Sequence, residues 1–419
     1  SEGLRILHLN SWQRGGSGLA ARRIHSLLLE SGADSLYCFV RGEPEGPAQI
    51  RLKRARSNLI AACRVAGAVV RNVRHGLPPG WRSRPGEISC AEIRARLPVF
   101  PADAFAGRIP HLHWTEGLLD IPSFFRRLRP GSPVVCTLHD LAHATGGCHY
   151  PGACERYAEN CGDCPVLGIP GERLSSHNLR LRASVAERFQ LHVVANSHWT
   201  ETRARRSRAF RNAASIRTIH YGLDTRQFTP ALREEARREF GVPGDLRLLG
   251  FSADILDDPR KGWPTLQAAL RSLPGDLKFG TLLLGGSTDA PPPAGGCWHR
   301  TVGYTAERAT VARFHAALDL FVMPSREEAF GQVAIEAMAS GVPVIVTDQS
   351  GACDVVEPGV TGYVVPADGV AELAAGIRLL LSDPAGARRM GAAGRAVAVD
   401  RFTQERERDA YLRLYRTLA

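Results

Sequence analysis

Two carboxylates, Glu328 and Glu336, stand on either side of a predicted helix start in Pro324-Ser325-Arg326-Glu327-Glu328-Ala329-Phe330-Gly331-Gln332-Val333-Ala334-Ile335-Glu336-Ala337-Met338-Ala339-Ser340-Gly341-Val342-Pro343. Ser325 to Phe330 reads as a loop. A helix opens at the backbone N–H groups around Phe330 and Gly331, and Gly341 with Pro343 closes it. A helix mouth offers unpaired N–H groups and the positive end of the helix dipole, so it can cradle a diphosphate. Glu328 on the loop and Glu336 on the helix can each take a pair of sugar hydroxyls, an arrangement suited to a nucleotide-sugar. An ordinary amphipathic helix with solvated Glu would carry the same letters.

Upstream, Asp257-Asp258-Pro259-Arg260-Lys261-Gly262 sets adjacent cations before a helix, where a phosphate site belongs. Lys261 is one of three lysines in a chain that otherwise uses Arg. A compact, flexible point charge is what a phosphate contact needs, although Lys at a helix start can be incidental. His139, in Thr137-Leu138-His139-Asp140, follows an apolar strand, and the carboxyl ends of strands are where open sheets bind ligands. A hydrogen-bonded structural His is the plainer reading. Gly285 and Tyr304 stand at two strand ends, where a flat base could approach the backbone or the chain could merely turn.

Cys148, Cys154, Cys161 and Cys164 form a Cys-x5-Cys-x6-Cys-x2-Cys cluster in one short segment. Four thiolates at that spacing can close a tetrahedral site and stiffen a loop too polar to have its own core, so a structural zinc is the leading reading. Unligated thiols come next and disulfides last. The other cysteines, Cys38, Cys63, Cys90, Cys136, Cys297 and Cys353, read as isolated thiols.

The elements that must hold these residues alternate between short apolar strands and helices. Arg5 to Leu9 reads as a buried strand, Gln13-Arg14-Gly15-Gly16-Ser17-Gly18 as a Gly-rich loop, and Leu19 to Glu30 as a helix. Strands are predicted at Ser35-Val40, Ile109-His113, Val134-Leu138 and Leu191-Ala195. A second series is predicted from about Ser215, with strands at Ile216-Ile219, Leu246-Ser252, Gly280-Leu284, His299-Val302, Leu320-Met323 and Val344-Thr347. Between them come helices at Trp263-Arg271, Ala306-Ala317 and Ala371-Leu381, and a last one at about Gln404-Leu418. The pattern is doubly wound α/β.

At 419 residues the chain is too long for one ordinary core and suggests two domains of about 200 residues each. No apolar run approaches the length of a membrane span, and Ser1 does not begin a signal sequence, so a cytoplasmic location is expected. The net charge of +11 is lopsided. Residues 1–215 hold 30 Lys+Arg against 17 Asp+Glu, a balance of +13, and residues 216–419 hold 23 against 25, a balance of −2. Arg51 to Arg96, with 11 basic and 2 acidic residues among apolar ones, can lie on an anionic membrane, grip an acidic acceptor, or be a solvated face. With neither aromatic interleaving nor a binding motif, nucleic acid is not expected as a partner.

The Glu328/Glu336 block resembles the Glu-x7-Glu signature of retaining GT-B glycosyltransferases of family 4. Gly16 in the first loop, His139, the segment Ile219 to Pro230, and Lys261 follow in the family's order over nearly the whole chain. The resemblance implies a GT-B fold: two Rossmann-like domains, 1–214 and 215–400, facing each other across a cleft, with 401–419 packing back on the first. It implies transfer of a sugar from a nucleoside-diphosphate donor to a hydroxyl with retention of configuration, by a same-face substitution and without a catalytic metal. Glu328 would then contact the donor sugar, Glu336 the ribose, His139 the sugar, and Lys261 and the helix mouth at Phe330-Gly331 the diphosphate. Where the family often has an Arg, this chain has Ser252-Ala253-Asp254, so Arg260 either supplies that contact from another angle or the contact is lacking. The cysteine insertion, 143–167, is similar to one in the branch that builds bacterial surface polysaccharides. That branch implies polysaccharide or glycolipid assembly, and a saccharide or lipid-linked saccharide acceptor at the inner face of the cytoplasmic membrane fits the basic first domain. A soluble secondary metabolite as acceptor, a nucleotide-sugar epimerase and a non-catalytic module stand as alternatives.

Overall fold

The computed structural model describes residues 3–53, 72–78, 98–256, 258–286 and 297–419. The chain forms two compact units, Ser1–Ile219 with Glu407–Ala419, and His220–Arg406. Most of the basic stretch Arg51 to Arg96, with Cys63 and Cys90, lies outside the described residues, as does Asp257.

The first unit is built on a seven-stranded sheet of order β3-β2-β1-β4-β5-β6-β7. Its strands are β1 (Arg5–Leu9), β2 (Asp34–Phe39), β3 (Gln49–Arg51), β4 (Ile109–Leu112), β5 (Pro133–Leu138), β6 (Gln190–Ala195) and β7 (Ser215–Thr218). Its helices include α1 (Gly15–Glu30), α2 (Ile121–Phe125), α3 (Leu174–Arg188) and α4 (His198–Arg206). Each strand pair is parallel, for instance His8 opposite His111 and Leu138 opposite Ala195. Parallel strands covered on both faces need continuous apolar runs, which is why β5 and β6 read so clearly. One face packs Leu7, Leu9, Leu112, Val134, Cys136 and Leu138. The other packs Ile6, Ile109, Val135 and Val194 against Ile24 and Leu28 of α1 and against Tyr411, Leu412 and Tyr415.

The strand expected at Ile216–Ile219, at the head of the second series, runs from Ser215 to Thr218, pairs with β6 and ends the first sheet. Its short apolar content fits either sheet, and only the partner decides. The glycine loop is also corrected: α1 begins at Gly15, so Gly16 sits in its first turn and not in a loop.

The second unit has a six-stranded sheet of order β10-β9-β8-β11-β12-β13. Its strands are β8 (Leu248–Ile255), β9 (Gly280–Gly286), β10 (Trp298–Thr301), β11 (Leu320–Met323), β12 (Val344–Thr347) and β13 (Gly362–Val365). Around them run α5 (Arg233–Glu239), α6 (Trp263–Arg271), α7 (Arg308–Ala317), α8 (Gln332–Ala339), α9 (Val370–Ser382) and α10 (Pro384–Arg401). The final helix, α11 (Gln404–Arg416), follows. Leu249, Phe251, Val322 and Ile345 of the sheet meet Leu266, Ile377 and Met390 in one core. The strand order steps outward in both directions from β8 and β11, so their carboxyl ends open a crevice of the kind that binds ligands.

Candidate functional site

Lys261 and Glu328 come together in the second unit. Lys261 ends the short turn Pro259–Lys261 before α6, and Asp258 caps that turn by accepting the Arg260 N–H at 2.9 Å. Gly262 then adopts φ +75°, and a Cβ there would lie 1.9 Å from the Pro324 carbonyl oxygen. Only glycine lets the Lys261 turn lie this close to the loop that carries Glu328. The Lys261 Nζ stands 2.6 Å from Glu328 Oε2, and an Arg260 nitrogen 3.5 Å from the same oxygen. Arg260 also donates to the Glu327 carbonyl at 3.1 Å and faces Asp258 at 3.4 Å. Burial pushes the Glu328 carboxyl up, but Lys261 and Arg260 outweigh it and hold it below the ordinary value.

The loop bearing Glu328 is pinned from its other side. The Glu328 carbonyl accepts the Gly351 N–H at 2.8 Å, and the Thr347 hydroxyl donates to the Ser325 carbonyl. Gly331 caps α8 at φ +82°, a conformation costly for other residues, and a Cβ there would fall 2.8 Å from that of Ala352. The α8 mouth has no side-chain cap. The Phe330 ring is buried against Tyr221, His220 and Phe402, so only its backbone belongs to the mouth.

Glu336 is buried on α8 and its carboxylate is occupied. Arg308 of α7 reaches Oε1 at 2.8 Å, and His315 Nε2 lies 3.3 Å from Oε2. Burial alone would raise this carboxyl, but Arg308 and His315 draw it below the ordinary range. Neither partner is legible locally, since both stand on α7, separated from Glu336 by β11 and the loop after it. The Gly285 N–H donates to the carbonyl of Gly303 at 3.1 Å, and the side chain of the next residue, Tyr304, is exposed. A Cβ at Gly285 would lie 2.0 Å from the Ala253 carbonyl oxygen, so packing between strands already requires glycine there.

In the first unit, nothing lies within 4 Å of a Cβ built on Gly16, whereas one on Gly18 would meet the Gln13 carbonyl carbon at 2.5 Å. Gly18 is therefore the packing glycine, and Gly16 faces open space at the uncapped start of α1. His139 follows β5, with its Nε2 2.9 Å from His113 Nδ1. Burial lowers its pKa to about 3, so the ring is neutral. The neighbouring Asp140 accepts from His149 Nδ1 at 2.6 Å, and Glu116 stands 3.5 Å from His149 Nε2. Burial alone would lower His149, but the two carboxylates raise it to about 10 and keep it cationic. His149 thus ties the cysteine insertion to the loop after His139, a link the spacing did not announce.

The four insertion cysteines line one small cavity with Pro151, Tyr157 and Pro165. Cys148, Cys161 and Cys164 are buried, and the Gly146 N–H points at the Cys161 sulfur at 3.2 Å. Burial pushes the Cys148 thiol up to about 12 and that of Cys161 to about 11. Among the described residues the sulfurs are not gathered within 4.8 Å, as ring nitrogens of His8, His111 and His113 are. The four thiols line one cavity, and a four-cysteine donor set is one that zinc takes.

Residues 299–397 match the family described as Glycosyl transferases group 1. The chain is 30% identical over 343 residues to D-inositol 3-phosphate glycosyltransferase 1 of Catenulispora acidiphila, covering 76% of this chain and 74% of that protein. It is 33% identical over 218 residues to a GDP-mannose-dependent alpha-(1-6)-phosphatidylinositol monomannoside mannosyltransferase of Mycobacterium tuberculosis, covering 46% of this chain and 54% of that one. Among solved structures, sucrose-phosphate synthase from Thermosynechococcus elongatus superposes with a TM-score of 0.67 at 23% identity, covering 99% of each chain. That likeness speaks to fold alone, and the fold is the two-sheet GT-B type.

Proposed function

Because the chain belongs to the glycosyl transferases group 1 family, we propose that it moves a sugar from a nucleoside-diphosphate donor to an acceptor hydroxyl with retention of configuration. The observation that carries this reading is the pairing of Lys261 with Glu328 beside the uncapped mouth of α8. A diphosphate at that mouth exchanges partners with the pair. Lys261, helped by Arg260, turns to the phosphate, and the freed Glu328 carboxylate accepts from sugar hydroxyls. The Phe330-Gly331 mouth and Lys261 offset the charge that grows on the departing diphosphate. As the bond from the anomeric carbon to the phosphate oxygen breaks, the acceptor oxygen bonds to that carbon on the same face. The acceptor's proton goes to the leaving phosphate, so atoms and charge balance without a metal.

Glu336 is assigned to the ribose as a carboxylate that Arg308 holds by one oxygen, with His315 beside the other. Gly285 and Tyr304 are assigned to the base. Gly16 is assigned to close approach of the substrate at the start of α1, and His139 to contact with the transferred sugar. The donor of the M. tuberculosis relative, named in its description as GDP-mannose, is the first to try. For the acceptor we favour a saccharide or lipid-linked saccharide of surface-polysaccharide assembly. The cysteine insertion and the basic balance of the chain's first part support that choice, and inositol phosphates follow from the names of the relatives. In the insertion, Cys148, Cys154, Cys161 and Cys164 would hold a structural zinc, since a bound cation stabilises the thiolate form that burial alone disfavours and the protons leave to solvent. Native mass spectrometry of protein purified without chelator should show the mass of one zinc, and the bare chain mass would remove it.

The function is tested by thermal shift with UDP, GDP, ADP, TDP and CDP and their common sugar conjugates. Wild type should be stabilised by one base series, and Lys261→Ala and Glu336→Ala should lose that shift. No shift with any nucleotide would favour a non-catalytic module, and donor conversion without acceptor would favour an epimerase.

A further inference from the structure

The pairing of β5 with β6 ends at Leu138 opposite Ala195, one residue before His139, so the chain from His139 onward is placed by contacts of the loop. The His139 ring meets His113 Nδ1 at 2.9 Å, and His113 Nε2 in turn meets His8 Nδ1 at 3.0 Å. Further along, His143 Nε2 lies 2.8 Å from the His113 carbonyl oxygen. The neck of the loop is closed by His149. Its carbonyl accepts the Leu141 N–H at 3.0 Å, and its Nδ1 donates to Asp140 Oδ2 at 2.6 Å. Asp140 Oδ1 takes the Ala142 N–H at 2.8 Å, so both carboxylate oxygens brace the neck. Within the loop the Thr145 hydroxyl donates to the Cys148 carbonyl at 2.8 Å and accepts the Gly147 N–H at 3.0 Å. Residues 140–149 thus form a loop with joined ends, a compact form that is frequently functional.

The two nitrogens of the buried His149 ring are not equivalent. Nδ1 makes the short bond to Asp140, of the charge-assisted kind that is among the strongest in proteins. Trp114 Nε1, 3.4 Å from the same nitrogen, packs beside an atom whose hydrogen is already given. Nε2 stands 3.5 Å from Glu116 and makes no hydrogen bond. A group that meets substrate keeps its aim only if the residues behind it are themselves fixed, and a misplacement of about 1 Å can cost on the order of 100-fold in rate. We propose that His149 is a positioning residue of the transfer site: through Nδ1 and Asp140 it sets the neck of the loop that begins at His139, and so makes the cysteine insertion part of what meets the transferred sugar. The sugar half of this inference rests on the role proposed above for His139; the positioning of the loop does not, and neither half needs the four cysteines to hold a metal.

Two substitutions separate the nitrogens. Asn carries its amide nitrogen where His has Nδ1, and Gln carries its own where His has Nε2, so His149→Asn keeps the donor to Asp140 and His149→Gln removes it. Long-range proton–nitrogen correlation on the full chain with isotope-labelled histidine reads the result, the His139 signals being identified by their loss in His139→Gln. In His149→Gln the His139 signals should move, and in His149→Asn they should return to their wild-type positions, with the His192 signals unchanged in both. His139 signals that stay still in His149→Gln overturn the positioning, and signals that move alike in both variants overturn the role of the Nδ1 bond. If His149→Gln fails to fold, Asp140→Asn, which keeps the shape and sets an uncharged amide against Nδ1, is read in its place: moved His139 signals support the positioning and unmoved ones overturn it. The sugar contact is read by thermal shift, as the extra stabilisation that a sugar conjugate gives over its bare nucleotide across the UDP, GDP, ADP, TDP and CDP series. His139→Gln and His149→Gln should both lose that increment and keep the bare-nucleotide shift, and His149→Asn should restore it. An increment lost in His139→Gln but kept in His149→Gln overturns the positioning while the role of His139 stands. An increment kept in His139→Gln overturns that role, and the histidine signals alone then decide the positioning.

Discussion

Lys261 and Glu328 neutralise each other across 2.6 Å, and that partnership determines what either can lend to a diphosphate. Removing the ammonium leaves the largely buried Glu328 carboxylate to the more distant Arg260, 3.5 Å away. Lys261→Ala should therefore lower unfolding stability by about 1.5–3 kcal/mol, the range for hydrogen bonds to charged groups, as well as abolish nucleotide binding. Chemical denaturation checks the first effect and thermal shift the second. Glu328→Gln keeps the shape and removes the charge, so it should lose sugar-dependent affinity while binding of the bare nucleotide survives. The pH response has a definite sign. Glu328 and Glu336 both titrate below the ordinary value of 4.5 in the folded protein. Their contribution is present above that value and is lost as pH falls through their lower folded values. Stability measured from neutral pH downward should begin to fall near pH 4.5, and less steeply in a Glu328→Gln, Glu336→Gln double variant. An equally steep fall in that variant would place the acid sensitivity elsewhere.

At the scale of elements, glycines decide how closely the segments that carry function can approach. Gly262 combines φ +75° with a contact that no side chain can share, so Gly262→Ala should destabilise by about 1–3 kcal/mol and weaken donor binding by displacing Lys261. Gly16 is the opposite case. It lies in the first turn of α1 with nothing near its missing Cβ, so Gly16→Ala should leave stability unchanged or raise it by up to about 1 kcal/mol. If a substrate passes close to that backbone, the same variant will show a raised KM, and an unchanged KM would remove Gly16 from the site. The start of α8 is legible because Gly331 and Gly341 bracket an apolar run. The start of α1 is not, since three glycines before a helix look like a loop until tertiary packing takes them into the first turn. β3 and β13 escape a local reading for a related reason. Both are short edge strands whose partners, β2 and β12, define them.

At the scale of the molecule, residues 1–215 carry a balance of +13 and the remainder −2, so any attraction to anionic surfaces belongs to the first part. Flotation with vesicles containing anionic lipid should show binding at low salt that fades as the Debye length shrinks. No binding at low salt would remove the membrane-proximal acceptor and leave the basic residues as a solvated face. Among the described residues no helix is long and apolar enough to cross a membrane. The amino-acid sequence alone determined the doubly wound α/β class, most strand positions, and the order of His139, Lys261, Glu328 and Glu336, because buried parallel strands and helix mouths leave local signatures of period and punctuation. Tertiary structure alone decided that Ser215–Thr218 ends the first sheet, that Arg308 and His315 occupy Glu336, and that His8 and His113 stand behind His139. Those contacts join residues on separate elements far apart in the chain, and local pattern carries no record of which distant side chain burial will bring to a charge or a ring.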